Sequence, residues 1–95
     1  MLFMVIERFK ERDAKAIYRR LRQKGRMSPD GLQFHGSWIE PNFDRCFQLM
    51  ECDDLGVLQQ WIMSWSDLAD FEIVPVSPSK DVSALVYSIL DTEKG

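Results

Sequence analysis

The chain has 95 residues, of which 45% are hydrophobic, 28% charged and 12% aromatic. This length and apolar content fit one folded domain spanning 1–95 and argue against intrinsic disorder. The net charge of −3 disfavours nucleic-acid binding. No run of about 20 apolar residues is present, which argues against a membrane span. The sequence therefore predicts a cytoplasmic protein.

The first part of the chain predicts a strand followed by a basic helix. Residues 1–9 contain the run LFMVI, which is apolar on both faces as in a central strand. Asp13 is placed to cap a helix, Ile17 and Leu21 to face inward, and Gly25 to end it. Residues 1–26 carry nine basic and three acidic side chains, against three and twelve in the remainder. This asymmetry is typical of a nucleic-acid-binding patch or of one solvated basic helix. Because the chain as a whole is acidic, nucleic-acid binding is the weaker of the two interpretations.

A β-hairpin is predicted next, with strands at 32–40 and 45–52 joined by the loop PNFD. The loop length sets a register with the pairs Glu40–Arg45, Ile39–Cys46, Trp38–Phe47, Ser37–Gln48, Gly36–Leu49 and His35–Met50. In this register His35 points to the face opposite Glu51. We therefore expect these two side chains not to form a dyad within one subunit.

The acidic stretch ECDD ends the hairpin and precedes a helix predicted at 55–66. Asp53 or Asp54 is placed as the N-cap of that helix, which explains the aspartates without a metal. Glu51 shares a strand face with apolar neighbours and needs a basic or amide partner, or else looks into a pocket.

No metal site and no cofactor are predicted. Cys46 and Cys52 lie about 20 Å apart along one strand, too far for a disulfide, and are interpreted as reduced thiols. The single histidine cannot complete a zinc site with them.

A strand at 69–76 and a final helix complete the chain. Pro75 indicates that the strand lies at an edge or ends there. The segment 78–95 forms a C-terminal helix and tail, with a frayed end predicted for 91–95. The helix carries an apolar stripe of Val82, Leu85, Val86 and Ile89. The order βαββαβ plus a helix predicts an α+β, ferredoxin-like fold with an antiparallel four-stranded sheet.

Such a sheet leaves one face open, and its strands are apolar on both faces. Leu2, Met4 and Ile6 alternate with Phe3 and Val5 in the first strand. A large uncovered apolar face indicates a partner, and the simplest partner is a second copy in a homodimer. The final helix is the other candidate cover for part of that face.

Polar residues among apolar ones along the sheet are typical of a small-molecule cavity. The candidate pocket residues are Glu51, His35, Ser37, Gln48, Glu72 and Trp38. The ligand expected there is small and apolar. The alternative is a partly solvated sheet surface whose polar groups bond to one another.

Four motifs, MLFMVIERFK, GRMSPDGL, DRCFQLMECDD and WSDLADFEIVPV, together resemble domain-of-unknown-function family 3303, a family of short bacterial proteins. The resemblance covers about residues 1–77. It implies a ferredoxin-like fold of the dimeric α/β-barrel type, and it carries over no activity. The wider group of dimeric α/β-barrels includes cofactor-independent monooxygenases, heme-degrading enzymes and stress-responsive proteins.

Three functions remain open at this point. The first is a homodimeric protein with a small-molecule cavity between sheet and helices. The second is a cofactor-independent, monooxygenase-like enzyme acting on an apolar substrate. The third is a structural or interaction module without catalysis. The sequence has no nucleophile–base–acid arrangement and no Gly-rich phosphate loop, so it leaves open whether the protein is an enzyme.

Overall fold

The computed structural model of the protein describes residues 1–93. Its elements are β1 (Leu2–Phe9), a 3-10 turn (Lys10–Arg12), α1 (Ala14–Lys24), β2 (Gln33–Ile39), β3 (Arg45–Glu51), α2 (Leu55–Trp65), β4 (Ala69–Val76) and α3 (Ser79–Glu93). Each predicted strand is found with limits within one residue of those expected. Of the tail predicted to be frayed, 91–93 are helical and 94–95 lie outside the described residues.

The four strands form one antiparallel sheet in the order β2-β3-β1-β4. With the βαββαβ succession, this order confirms the predicted ferredoxin-like fold. The central position of β1 agrees with its being apolar on both faces. Pro75 lies in β4, an edge strand, where its missing N–H costs no ladder bond on the outer side.

Helices α1 and α2 cover one face of the sheet, and the core lies between the two layers. The buried residues that join these layers are Phe3, Val5, Phe9 and Met50 from the sheet, Ile17 from α1, and Leu58, Trp61 and Trp65 from α2. Trp61 and Phe71 meet edge to face with ring centroids 5.5 Å apart, a favoured aromatic geometry.

Both covering helices begin at a capping aspartate. Asp13 Oδ1 accepts a hydrogen bond from the Ala16 N–H at 3.2 Å, and Asp54 Oδ1 accepts one from the Gly56 N–H at 2.8 Å. The capping role predicted for the ECDD aspartates is therefore taken by Asp54. Gly25 ends α1 with a φ of 68°, in the left-handed region that glycine enters without strain.

The hairpin register departs from the prediction at one point. Ser37 pairs with Gln48 as expected, but Phe34, rather than His35, pairs with Met50, because a β-bulge lies between Phe34 and Gly36. The extra residue in a bulge rotates the chain and changes the side to which a side chain points. The predicted pairing of His35 with Met50 is wrong for this reason.

The second sheet face is not covered by either helix. It carries Leu2, Met4 and Ile6 of β1 together with Phe47 and Leu49 of β3, all half-buried. We call this surface the open face; from β2 it also includes Trp38 and from β4 Glu72, Val74 and Val76.

Helix α3 buries none of its residues and contributes none to the core. The described chain is correspondingly elongated, with extents of 59 × 31 × 17 Å. The alternative in which α3 covers the open face of its own chain is therefore not what is observed. Within residues 1–93, no helix is both long enough and apolar enough to cross a membrane.

Basic side chains of the first part of the chain pair with acids of the remainder. Arg20 makes two hydrogen bonds to Asp67, at 2.7 and 2.6 Å, and this pairing holds the pKa of Asp67 down at about 2. Arg8 bonds to Asp44 at 2.9 Å. The charge asymmetry of the sequence thus partly reflects pairing across the fold rather than a free basic surface.

Candidate functional site

A partly enclosed pocket lies between the sheet and the two covering helices. Its volume is about 80 Å³. Its lining residues are Glu7, Phe9, Ile17, Tyr18, Leu21, Arg26, Ser37, Cys46, Gln48, Trp61 and Trp65. Apolar and aromatic groups make up most of the wall, with a few polar groups on the sheet side, which is the usual composition of a small-molecule site.

Glu7 and Gln48 form the polar floor of the pocket. They project from the adjacent strands β1 and β3 and are 4% and 5% exposed. The Gln48 Nε2 donates a hydrogen bond to Glu7 Oε1. Gln48 Oε1 accepts no hydrogen bond within residues 1–93, although it is buried. A buried carbonyl oxygen without a donor is costly, so this atom is the natural anchor for a ligand hydroxyl or N–H.

The environment of Glu7 favours its protonated form. Burial is the largest influence and raises the pKa of Glu7 above 4.5, while the Gln48 hydrogen bond, the Arg26 charge and a Cys46 hydrogen bond oppose it. A buried carboxyl group with a raised pKa keeps its proton to a higher pH than an exposed glutamate does, so Glu7 is the group in this pocket suited to proton transfer.

Cys46 lies beside Glu7 but is not activated. Burial, followed by the negative charge of Glu7, raises the pKa of the Cys46 thiol to about 12. Because the thiolate is the nucleophilic form, this thiol is a weak hydrogen-bond donor rather than a nucleophile. Proton transfer through Glu7 is therefore the chemistry that the pocket can support.

Arg26 stands at the mouth of the pocket, where the loop after α1 meets α2. Its carbonyl oxygen accepts hydrogen bonds from both indole N–H groups, Trp61 at 2.9 Å and Trp65 at 3.0 Å. Its guanidinium carbon lies 3.5 Å from the centroid of the Phe34 ring, a cation–π contact. Half-exposed Tyr18 lines the same mouth from α1. These contacts hold a positive charge at the entrance to an apolar pocket.

The structure divides the six sequence-predicted pocket residues between the two sheet faces. Ser37 and Gln48 line the pocket. Trp38 and Glu72 lie on the open face, and both are exposed. Glu51 pairs with Leu2 and therefore lies at the end of the open face, where His35 meets it, and neither residue lines the pocket.

His35 and Glu51 do meet, which corrects the expectation that they would not. His35 Nε2 lies 2.9 Å from Glu51 Oε1, and their side chains are 40% and 45% exposed. The bulge at His35 is the cause, because it turns the imidazole to the side of Glu51. At this exposure the pair is a surface contact whose contribution to stability is small.

Glu7, Cys46 and Arg26 were not among the predicted site residues. For Glu7 a signal was available, since strict alternation along β1 puts it on the same face as Phe3 and Val5. Cys46 shares that face through its pairing with Glu7. Arg26 lies in a loop, and the sequence holds no signal for its place at the pocket mouth.

Within residues 1–93, no three His, Cys, Asp or Glu side chains come together as a potential metal site. The pocket itself offers one carboxyl, one amide and a protonated thiol, which is a poor donor set for a metal ion.

Comparison with known proteins gives a family but no activity. No curated protein matches the sequence. A solved structure titled "Crystal structure of antibiotic biosynthesis monooxygenase" is similar to this chain with a TM-score of 0.47 and 16% identity, over 82% of this chain and 100% of that one. The family model "Domain of unknown function (DUF3303)" matches residues 1–90, further than the resemblance to residue 77 and into α3. The chain therefore belongs to this family of unknown function.

Proposed function

We propose that the protein binds a small, largely apolar molecule in the pocket between its sheet and helices, and that it acts as a homodimer. The observation that carries the ligand proposal is the buried, unpaired Gln48 Oε1 beside Glu7. Native proteins leave few buried polar atoms unsatisfied, and such atoms are found where a ligand or water completes the bonding.

The polar floor selects for a hydrogen-bond donor. Gln48 Oε1 is an acceptor in either protonation state of Glu7, and Glu7 Oε1 already accepts a hydrogen bond from Gln48 Nε2. A ligand hydroxyl or N–H satisfies Gln48 Oε1, whereas a carboxylate at the same place has no donor to offer it. The preferred buried group is therefore a neutral ring or chain that ends in a hydroxyl, such as a phenol.

The size of the pocket limits how much of the ligand is buried. An engineered apolar cavity of about 150 Å³ holds one benzene molecule. The present volume of about 80 Å³ is smaller, so it encloses at most one small ring in this conformation. Any longer ligand would extend past Tyr18 and Arg26, where the guanidinium favours a negative or polar tail.

The homodimer proposal rests on the open face. Leu2, Met4 and Ile6 form a continuous apolar row along a central strand and are covered by neither helix. Contiguous apolar surface of this kind usually marks a protein–protein contact. A two-fold pairing of two such faces would bury both rows at once.

Intrinsic tryptophan fluorescence tests the ligand proposal, because Trp61 and Trp65 line the pocket. The experiment uses Trp38→Phe protein, which removes the exposed third indole, and titrates phenol, toluene and benzoate separately. We expect a saturable change with phenol, at least about fivefold weaker binding of toluene, and no saturable change with benzoate, since one neutral hydrogen bond contributes about 1 kcal/mol.

Gln48→Leu is the decisive variant, with Gln59→Leu on the exposed side of α2 as the matched control. Gln48→Leu should lose the preference for phenol over toluene, and the control should keep it. Equal affinity of the parent protein for phenol and toluene, or no saturable change with either, would reject the proposed site.

A further inference from the structure

Helix α3 presents a second apolar surface that the described chain leaves uncovered. Its stripe residues Val82, Leu85, Val86 and Ile89 are 44%, 61%, 42% and 50% exposed, and Leu90 beside them is 46% exposed. We infer that α3 is an exchanged arm, whose stripe packs on the open face of a second copy of the chain. This inference rests on the proposed homodimer and adds that α3 holds the two subunits together.

The area of the open face alone argues for this role of α3. Four strands of seven or eight residues give a flat footprint of ~480 Å², from ~3.3 Å per residue and ~4.8 Å per strand. A stable interface buries ~800 Å² per partner. The 15 residues of α3 add a footprint of ~220 Å², from ~1.5 Å rise per residue and ~10 Å width. Sheet face and helix together approach the usual size, whereas the sheet face alone reaches about 60% of it.

The two apolar surfaces are continuous at the start of α3. Asp81 of its first turn lies in one surface cleft with Leu2 and Val76, both on the open face. Only Ser77 and Pro78 separate β4 from the helix. The helix therefore leaves the domain at the margin of the open face, where a partner docked on that face would lie within its reach.

The charges of α3 favour a protein partner over a lipid surface. Between Ser79 and Glu93 the helix has one basic residue, Lys80, and three acids, Asp81, Asp91 and Glu93. Helices that lie on membranes have Lys- and Arg-rich polar faces. The acidic polar face of α3 would be repelled by anionic lipid, and a second copy supplies the apolar surface that the stripe needs.

Val86→Asp tests the arm without disturbing the core, because the side chain is exposed in the single chain. Ala84→Asp is the matched control, with the same new charge about 160° around the same helix. By sedimentation equilibrium, the wild type should show twice the 11.1 kDa chain mass at micromolar concentration. Val86→Asp should weaken the dimer at least tenfold, and Ala84→Asp should leave it unchanged.

A mixing experiment shows whether the arm crosses to the partner. Met4→Asp damages the open face and Val86→Asp damages the arm, so each variant alone has a defect in both of its arm–face contacts. In a mixed dimer one contact combines an intact arm with an intact face. Mixing should therefore restore dimers, which a simple face-to-face pairing would not do. Trp38→Asp replaces Met4→Asp if circular dichroism shows that the latter is unfolded, because Trp38 is 59% exposed on the same face.

The outcomes separate the two proposals. A wild-type mass of 11.1 kDa at 100 μM would overturn both the homodimer and the exchanged arm. A dimer that Val86→Asp does not weaken, or variants that fail to complement each other on mixing, would overturn the arm and leave the homodimer standing. Ligand binding in the pocket is measured independently through tryptophan fluorescence, so its success or failure affects neither conclusion.

Discussion

Replacing Glu7 by glutamine should stabilise the protein at neutral and alkaline pH. Burial raises the pKa of Glu7 above 4.5, so folding makes this carboxyl hold its proton more tightly. At pH values above 4.5, the folded state therefore binds more protons than the unfolded chain, and the free energy of unfolding of the wild type falls as the pH rises. This fall continues until the pH has passed the pKa of Glu7 in the folded state. Glutamine does not titrate, so the variant should lack this decline.

The size of the effect follows from the same burial. Each unit by which folding raises the pKa corresponds to about 1.4 kcal/mol, and burying an incompletely compensated polar group costs about 1–3 kcal/mol in proteins. Glutamine has the shape of glutamate and can still bond to Gln48, so no new cavity opposes the gain. We expect Glu7→Gln to be about 1–3 kcal/mol more stable than wild type above neutrality, and the difference to shrink towards zero near about pH 4.5.

Urea unfolding followed by circular dichroism measures this difference between about pH 4.5 and 8.5. All samples need one protein concentration, because association changes apparent stability. Glu11→Gln, at an exposed position near the end of the same strand, controls for loss of one negative charge. A Glu7→Gln curve parallel to wild type at every pH, or a variant less stable than wild type at alkaline pH, would refute the reasoning.

Two further predictions concern the helix cap and the thiols. Asp54→Ala should lower the free energy of unfolding by about 0.5–2 kcal/mol through loss of the cap on α2. Divalent cations should not raise the melting temperature of the wild type. A clear rise with a cation would restore the metal interpretation of ECDD. In a thiol-reagent assay at mildly alkaline pH, the folded protein should react slowly, since burial raises the pKa of Cys46 to about 12 and also raises the pKa of Cys52. Both thiols should react after unfolding, and fast reaction of the folded protein would contradict the burial of this side of the sheet.

The fold was predictable because its signals are local and repeated. The apolar stripe of α2, the capping aspartates and the two-sided apolar run of β1 each specify an element within a few residues. The sheet order then follows from the succession βαββαβ. The position of α3 was not predictable, since an apolar stripe shows that a helix needs a partner but not where that partner is.

The candidate site was predictable only in part, because it depends on contacts between distant residues. Ser37 and Gln48 were found from their place on a half-apolar sheet face. The bulge at His35 has no clear sequence mark beyond the neighbouring Gly36, and it moved His35 to the side of Glu51. Arg26 lies in a loop, and the conformation of a loop cannot be predicted from the periodicity of apolar residues. Glu7 was within reach of the alternation argument, but a single charged residue in an apolar strand is also typical of a strand end.

Both edges of the sheet discourage the addition of further strands. On β2 the bulge at His35 breaks the regular spacing of backbone groups, and on β4 Pro75 has no N–H to donate. Neither edge offers another molecule's strand a regularly spaced row of backbone N–H and C=O groups. Fibre growth by edge pairing is therefore disfavoured even in concentrated solution. In the proposed homodimer, association is directed to the open face, and a two-fold contact would leave no part of that face free for a third chain. The expected product is a closed assembly of defined size rather than an open polymer.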